Sequence, residues 1–230
     1  MPQNRPPVLA QQNFRRHRSR FTGLDLAERF ALIHELNLWG APTSRSGVGS
    51  ELDETAALRA DLSKMLDSLN VETLLDAPCG DFGWLQAVDF GTRRYIGVDV
   101  VPTIINELRQ RFHSPESQRT FEIANVVQDP LPPADAILCR DCLVHLSFLN
   151  ISRTIENFRT TGARWLMTTT FTELDENYDI EDGDWRPINL EIAPFFWPLP
   201  HSVLNEQCDE LDGAYRDKSL GVWRLSELPV

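Results

Sequence analysis

The stretch LLDAPCGDFGWL, Leu74 to Leu85, decides the fold. An apolar run ends at Asp76, and Gly80 then permits a sharp turn before the next apolar residues. Strand, tight turn and helical pattern in this order are typical of the first β-α unit of a parallel sheet, where ligands bind at the carboxyl ends of the strands. Backbone N–H groups at a helix start favour anions, yet Asp76 and Asp81 both carry negative charge. The sequence therefore predicts a ligand with positive charge at this turn.

The rest of the chain extends this unit into a doubly wound α/β domain with a mostly parallel, seven-stranded, Rossmann-like sheet and helices on both faces. Short apolar runs alternate with helical patterns from residue 72 onward, as in β-α-β units. Five strands are expected in TLLDA, RYIGVDV, TFEIAN, DAILC and RWLMTTT, and HSVLNE and GVWRLSEL are expected to close the sheet as a hairpin-like pair. The connecting helices are expected at Trp84–Phe90, Pro102–Phe112 and Phe148–Thr161.

The N-terminal region is expected to form an arm and a helical cap over residues 1–50, ahead of a ligand-binding domain over residues 51–230. Residues 1–20 are rich in Pro, Gln and Arg, which predicts a mobile or loosely docked arm. Apolar residues at helical spacing predict helices within Leu24–Trp39 and Glu51–Leu69. GAPTSRSGVGS between them is either a lid over the ligand or a flexible linker. The Pro-rich residues 173–200 are expected to lie over the carboxyl ends of the strands.

Composition limits the partners and the compartment. The 230 residues carry a net charge of −12, which disfavours attraction to nucleic acid or to a membrane by the molecule as a whole. Residues 1–50 differ, because they contain seven Arg and three acidic residues. Four cysteines without a secretory leader or a long apolar span predict reduced thiols in a cytoplasmic protein. Cys139 and Cys142 form C-x-x-C without a second pair, so no zinc site is predicted.

Two classes of cofactor compete for the first turn. Asp99 ends the second strand 23 residues after Asp76, a spacing that suits a nucleoside whose ribose hydroxyls donate to Asp99. A dinucleotide motif would need glycine where Pro78 stands, and Asp81 would face a pyrophosphate of like charge. S-adenosyl-L-methionine has no phosphate and carries an ammonium and a sulfonium group. The carboxylates of this turn therefore favour S-adenosyl-L-methionine.

LLDAPCGDFGWL, YIGVDVVP and DAILCRDCLVHLS together resemble the class I methyltransferases that use S-adenosyl-L-methionine. More narrowly, the chain is similar to an uncharacterised bacterial group with the motifs CGDF-x-W, CRDCLVHL, GDWRP-x-N-L and KSLG-x-W-R-L, from about Trp39 to the C-terminus. Asp76, Cys79 and Gly80 stand where the class has D-x-G-C-G, while Pro78 occupies its first glycine position and Phe82 its third. The resemblance implies cofactor contacts from Asp76, Cys79, Gly80, Asp81, Trp84, Asp99, Val100, Asn125 and Arg140.

Several of these residues have a structural alternative. Asp81 is also a suitable helix cap, and Trp84 a suitable core residue. Asn125 stands where many members of the class have an Asp that meets the adenine amino group, and the Asn side-chain carbonyl can accept the same hydrogen bond.

His145 and Asp141 are the candidate catalytic residues. In the class that the chain resembles, Arg140 and Asp141 would lie beside the cofactor, and one helical turn would bring His145 to the same side. A neutral His can take the proton of an acceptor hydroxyl near pH 7. The alternative is a His that only packs. No metal is predicted, because Thr170, Thr172 and Glu173 replace the Asp-Asn pair of catechol-type sites.

The expected function is transfer of a methyl group from S-adenosyl-L-methionine to a small polar acceptor, a hydroxyl on a sugar-like or secondary metabolite. The aromatic and acidic residues 173–200 motivate this expectation. One alternative is an RNA or protein methyltransferase guided by the basic arm; the other is a non-catalytic module that retains the fold. The sequence specifies neither the acceptor nor the oligomeric state.

Overall fold

The computed structural model describes residues 5–112, 114 and 118–229. Residues 1–4 of the expected arm lie outside this part of the chain. The described residues contain a seven-stranded sheet in the order β3-β2-β1-β4-β5-β7-β6. The strands are β1 Thr73–Asp76, β2 Arg94–Asp99, β3 Arg119–Ile123, β4 Ala136–Cys139, β5 Trp165–Phe171, β6 Ser202–Asn205 and β7 Lys218–Arg224.

The pairing of these strands confirms the predicted sheet. Strands β1 to β5 pair in parallel, while β7 runs antiparallel to both β5 and β6. The strand order reverses at β1, which pairs with β2 on one side and with β4 on the other. A crevice forms at such a reversal because the connections from the two neighbouring strands leave toward opposite faces of the sheet.

Helices cover both faces, as the sequence predicted. The α-helices of the described residues are α1 Leu9–His17, α2 Leu26–Glu35, α3 Ala56–Ser68, α4 Pro102–Arg111, α5 Phe148–Arg159 and the four-residue α6 Glu210–Gly213. Buried leucines of α3 and isoleucines of α4 pack in one core cluster, while Ile151, Ile155 and Phe158 of α5 pack in another. Helix α2 begins with a capping box, in which Asp25 accepts from the Glu28 backbone N–H and Glu28 accepts from that of Asp25.

The helix expected at Trp84–Phe90 is wrong, since the structure has only a 3-10 turn at Leu85–Ala87. Gly80 and Phe82 adopt positive φ angles of 51° and 57°, so the chain turns twice after β1. Phe82 is buried with its ring 4.7 Å from that of Tyr95 and 5.4 Å from that of Phe121. Burial of the Phe82 ring in the aromatic core thus takes the place of a first helical turn. The turn after β1 therefore carries no helix dipole.

For residues 5–20 the sequence allowed a mobile or a loosely docked arm, and the structure shows a docked segment. Helix α1 occupies most of this segment, and Phe14 stacks on Phe21 with 4.6 Å between ring centroids, both residues buried. Arg5 forms a 2.6 Å ion pair with the buried Asp217, and the Tyr215 hydroxyl donates to the Pro6 carbonyl. The apolar residues are few, but their burial fixes the segment on the body of the protein. The domain division at residue 50 stays a prediction.

Residues 173–200 lie where they were expected, against the ends of β4 and β5. The N–H groups of Gly183 and Arg186 donate to the carbonyls of His145 and Val144, and the Phe171 N–H donates to the Ile188 carbonyl. Among the described residues, no helix has the length and apolar character needed to cross a membrane.

Candidate active site

A cavity opens at the carboxyl ends of β1, β2 and β4, where the strand order reverses. This first cavity encloses about 940 Å³, its open mouth included. Ten residues predicted from the sequence line it together: Asp76, Cys79, Gly80, Trp84, Asp99, Val100, Asn125, Arg140, Asp141 and His145.

Asp81 is the predicted site residue that lies outside this lining. Its carboxylate accepts from the Ser44 hydroxyl at 2.8 Å and from the Gly83 N–H at 2.9 Å, and its own N–H donates to the Ser46 hydroxyl at 2.9 Å. Asp81 therefore fastens residues 40–50 to the turn after β1.

Residues 40–50 form one wall of the first cavity. Arg45, Ser46 and Ser50 line it, as does Trp39 just before them. A Cβ on Gly80 would lie 2.3 Å from the Ser46 hydroxyl, so glycine allows this close approach. Of the two alternatives left by the sequence, the structure supports the lid. Ser46 had no distinguishing signal in the sequence, because its role depends on a contact across 35 residues.

Asp99 is oriented by two backbone donors at the end of β2. One carboxylate oxygen accepts from the Gly80 N–H at 3.1 Å and the other from the Val101 N–H at 2.9 Å. Burial raises the pKa of Asp99 to about 6, against the opposing effect of these N–H groups. Each oxygen keeps a lone pair, so the carboxylate is prepared to accept from a diol in the cavity.

Asp76 is a buried carboxyl at the end of β1, and the Tyr95 hydroxyl donates to it at 2.5 Å. Burial raises the pKa of Asp76 to about 8, which the hydrogen bond from Tyr95 opposes. The carboxyl is therefore largely neutral at pH 7 until a cation lies beside it. Sequence reasoning missed Tyr95, since a strand aromatic normally indicates core packing.

Asn125 has a fixed side-chain orientation after β3. Its side-chain carbonyl oxygen accepts from the Val127 backbone N–H at 2.9 Å, and its backbone N–H donates to the Asp129 carboxylate at 2.8 Å. A carbonyl oxygen has a second lone pair for a donor in the cavity, so the predicted adenine contact stays a prediction.

Four charged side chains form a network behind the cavity. Arg140 donates to Glu206 at 2.6 and 3.2 Å and to the Gly49 carbonyl at 2.8 Å, and its guanidinium lies 5.2 Å from the Trp84 ring centroid. Lys218 lies 2.7 Å from Asp141 and 3.3 Å from Glu206.

This network connects the sequence motifs CRDC and KSLG across the sheet. It was missed because Glu206 and Gly49, which accept hydrogen bonds from Arg140, lie 66 and 91 residues away along the chain. The nearby guanidinium and ammonium hold the pKa of Asp141 well below its usual range, although burial opposes this shift. Asp141 is therefore a permanent anion and not a proton acceptor near pH 7.

His145 lies in a 3-10 turn, Leu143–His145, just after β4. Its Nδ1 lies 2.8 Å from the Asp184 carbonyl oxygen, which can only accept, so Nδ1 carries the proton and Nε2 keeps its lone pair. The imidazole stacks on Trp39 with 4.6 Å between centroids. Burial lowers the pKa of His145 to about 4, against the raising effects of the Asp184 hydrogen bond and Asp141. The ring is thus neutral at pH 7.

A second cavity adjoins the first and shares Trp39, Ser46, Asp141 and His145 with it. It encloses about 570 Å³, again including its mouth. Its remaining lining combines N-terminal, lid and C-terminal residues: Val8, Leu9, Ala10, Gly47, Val48, Gly49, Phe171, Trp185, Glu210, Tyr215 and Lys218.

No family model matches the sequence, and no curated protein sequence matches it. Among solved structures, the N-methyltransferase NodS from Bradyrhizobium japonicum WM9 aligns with a TM-score of 0.52 at 16% identity, over 75% of this chain and 98% of its own. The methyltransferase domain of bacterial CtHen1-C aligns with a TM-score of 0.44 at 19% identity, over 52% of this chain and 66% of its own. The S-adenosylmethionine-bound CalS10, an amino pentose methyltransferase from Micromonospora echinaspora, aligns with a TM-score of 0.41 at 19% identity, over 48% of each chain.

The chain thus spans between about half and two thirds of the last two structures, and nearly all of the first. The likeness to NodS shows that the chain has the Rossmann-like fold of class I methyltransferases.

Proposed function

We propose that this protein is an S-adenosyl-L-methionine-dependent methyltransferase that acts on a small polar acceptor through a hydroxyl group. The observation that carries the proposal is the pair of adjoining cavities, one lined by ten residues chosen from the sequence for a cofactor or for catalysis, the other sharing Asp141 and His145 with it. A methyltransferase needs two such sites, because donor and acceptor must meet in line at one carbon atom.

The first cavity fits the proposed cofactor by its donors and acceptors. Asp99 would accept from the ribose hydroxyls, and Asp76 would pair with the methionine ammonium group, which offsets the burial of that carboxyl. The bound cofactor would supply an electrophilic methyl group on a sulfonium.

His145 would act as the base. Nε2 would take up the acceptor's proton as the new O–CH3 bond forms, while Nδ1 stays bonded to the Asp184 carbonyl. A base of low pKa is weak, but proton uptake would place a positive charge on the imidazole beside the anionic Asp141, and that carboxylate would stabilise the charged ring.

The alternative functions have less support. Arg5 and Arg18 of the basic segment form ion pairs with Asp217 and Glu181, so these charges are directed at the protein itself. A non-catalytic binding module would need one ligand site, whereas this protein has two adjoining cavities that share Asp141 and His145. Cys79, Cys139, Cys142 and Cys208 are all unpaired, which supports a reducing compartment such as the cytoplasm.

Calorimetry with S-adenosylhomocysteine tests the cofactor site directly. Asp99→Asn removes one charge-assisted acceptor, worth about 1.5–3 kcal/mol per hydrogen bond, so we expect at least a tenfold loss of affinity. Glu122 is exposed on β3, so Glu122→Gln, which removes the same charge, is the control and should bind S-adenosylhomocysteine as the wild-type protein does. Absence of binding by the wild-type protein at millimolar S-adenosylhomocysteine would contradict the proposed function.

A second experiment identifies the acceptor. Methyl transfer from labelled S-adenosyl-L-methionine to components of metabolite extracts would show which compound is methylated.

A further inference from the structure

Charge in the second cavity is not balanced. Lys218 is its one cationic lining residue among those described, and it is already paired with Asp141 and Glu206. Glu210 also lines the cavity and, within the described ranges, makes no side-chain hydrogen bond or ion pair. Burial raises the pKa of Glu210, and the negative charges of Asp141 and Glu54 raise it further, whereas the ammonium group of Lys218 opposes this shift. With Arg140 and Lys218 neutralised by Asp141 and Glu206, Glu210 leaves the cavity with excess negative potential.

Aromatic side chains also line the second cavity. Trp39, Phe171, Trp185 and Tyr215 line it, and the last three contact one another edge to face at centroid distances of 5.3 to 6.0 Å. The cluster already accepts one cation from outside, since the Arg5 guanidinium lies 5.5 Å from the Tyr215 centroid and 6.0 Å from that of Phe171. Aromatic rings together with a carboxylate are the combination that recognises organic ammonium groups.

We propose that the second cavity binds the acceptor and selects one that carries an ammonium group, held by Glu210 and packed against the aromatic residues. The inference rests on the proposed function for the identity of the bound molecule as a methyl acceptor. It assigns the cationic group to the Glu210 side of the cavity and the reacting hydroxyl to the His145 side. The acceptor class is thus a small amino alcohol, amino sugars included.

The surroundings of the cavity argue for a small molecule. Residues from α1, from the lid and from the C-terminal region line it together, so three separate parts of the chain contribute to one concave site, as is usual for small-ligand pockets. Val8, Leu9 and Ala10 give it an apolar edge on the α1 side.

Three aromatic probes of similar size and different charge test the proposal: benzylamine, benzyl alcohol and benzoate. Each is titrated by NMR into protein saturated with S-adenosylhomocysteine. We expect benzylamine to bind at least tenfold more tightly than benzyl alcohol, and benzoate to bind least, because the added charge-assisted contact is made by the amine alone. Equal binding of the three probes, or tighter binding of benzoate, would overturn the proposal without any variant.

A matched pair of variants then locates the effect. Glu210→Gln should reduce benzylamine affinity about tenfold and leave that of benzyl alcohol unchanged, whereas Asp212→Asn, two residues away and exposed, should change neither. Unchanged benzylamine affinity in Glu210→Gln would overturn the assignment to Glu210. The proposed function is tested separately in the same samples by their affinity for S-adenosylhomocysteine, which Glu210→Gln should not alter because Glu210 lies outside the first cavity.

Discussion

Two buried carboxyl groups dominate the first cavity at the scale of single residues. Asp76 and Asp99 are 2% and 6% exposed, and neither forms an ion pair within the described residues. Both have a raised pKa because burial disfavours the charged form. A protein retains such groups at a cost to its own stability, which a cationic or hydrogen-bonding ligand offsets.

The first prediction concerns the stability of the ligand-free protein as pH changes. Asp76 has a folded-state pKa of about 8 against 3.8 when unperturbed, so the folded state holds a proton that the unfolded chain releases. This contribution to stability is fully present below about pH 4 and is lost as pH rises toward 8. Thermal unfolding from pH 5 to 8 should therefore show the melting temperature of Asp76→Asn rising relative to that of the wild type. A constant difference between the two proteins would contradict the raised pKa.

The second prediction separates a catalytic from a structural His145. His145→Asn keeps an N–H near the position of Nδ1, so the hydrogen bond to the Asp184 carbonyl is retained and only Nε2 is removed. His145→Gln instead places a polar group near the position of Nε2 and removes the donor at Nδ1. If Nε2 is the base, turnover of His145→Asn should fall by roughly 10²–10⁴ with unchanged cofactor affinity. Near-normal turnover in this variant would exclude the base role.

The pH profile gives an independent check on the same residue. A histidine base with the ordinary pKa of 6.5 would give a rate that rises around pH 6.5, but the pKa of about 4 keeps the buried imidazole of His145 neutral above pH 5. The wild-type rate should accordingly be flat from pH 6 to 8 in any step that depends on His145. A rise centred near pH 6.5 would show that ligand binding restores the ordinary pKa.

Sequence reasoning located the strand-end residues well because strand ends are defined by local patterns. Asp76, Asp99 and Arg140 each follow an apolar run, and parallel strands bring their carboxyl ends to one edge. Tyr95, Glu206 and Lys218 were missed because their roles depend on which strands become neighbours. Strand β7 reaches Asp141 only through its antiparallel pairing with β5.

At the scale of elements, the segment with the motif GDWRP positions the turn that carries His145. The Arg186 guanidinium is fully buried and donates to the carbonyls of Leu143, Leu146 and Tyr178. With the Asp184 carbonyl on Nδ1, this segment fixes both the backbone and the tautomer of the candidate base. Residues 173–200 form neither helix nor strand, yet their hydrogen bonds hold the turn that carries His145 in place.

The third prediction tests helix α1 as a wall of the acceptor site. Ala10 lines the second cavity but not the first, so Ala10→Phe should obstruct acceptor binding and leave cofactor binding unchanged. We expect at least a tenfold rise in the acceptor KM, since added bulk in a packed site forces displacement. Gln12→Phe places the same side chain at an exposed position of α1 and is the control. Equal kinetics of the two variants would remove α1 from the acceptor site.

Elements were predictable where an amphipathic pattern was long, and not where tertiary contacts override it. Helices α4 and α5 lie within one or two residues of their predicted bounds. The expected helix after β1 does not form because Phe82 packs into the aromatic core with a positive φ angle. This conformation depends on contacts with Tyr95 and Phe121 and not on local helix propensity. The sequence left open whether residues 5–20 are mobile or docked, since docking depends on a few buried contacts such as that of Phe14 with Phe21.

For the whole molecule, the distribution of charge connects the N-terminal segment to the acidic remainder. The chain has a net charge of −12, although residues 1–50 are basic. Arg18 and Arg29 lie 3.0 and 3.1 Å from Glu181, in an acidic stretch that includes Asp179 and Asp182. The basic segment therefore has an intramolecular role in joining α1 and α2 to residues 173–200.

The last prediction follows from this charge distribution and decides between a small acceptor and RNA. Non-specific binding of nucleic acid requires cations that displace counterions from phosphates, and the net field of this molecule repels a polyanion. A 20-nucleotide single-stranded RNA should bind no more tightly than about 10⁻⁴ M at physiological salt. Tighter binding with a steep salt dependence, lost when Arg15, Arg16 and Arg20 are changed to Ala, would show instead that the basic segment guides a macromolecular acceptor. None of these three arginines lines either cavity, so the same substitutions should leave turnover of a small acceptor unchanged.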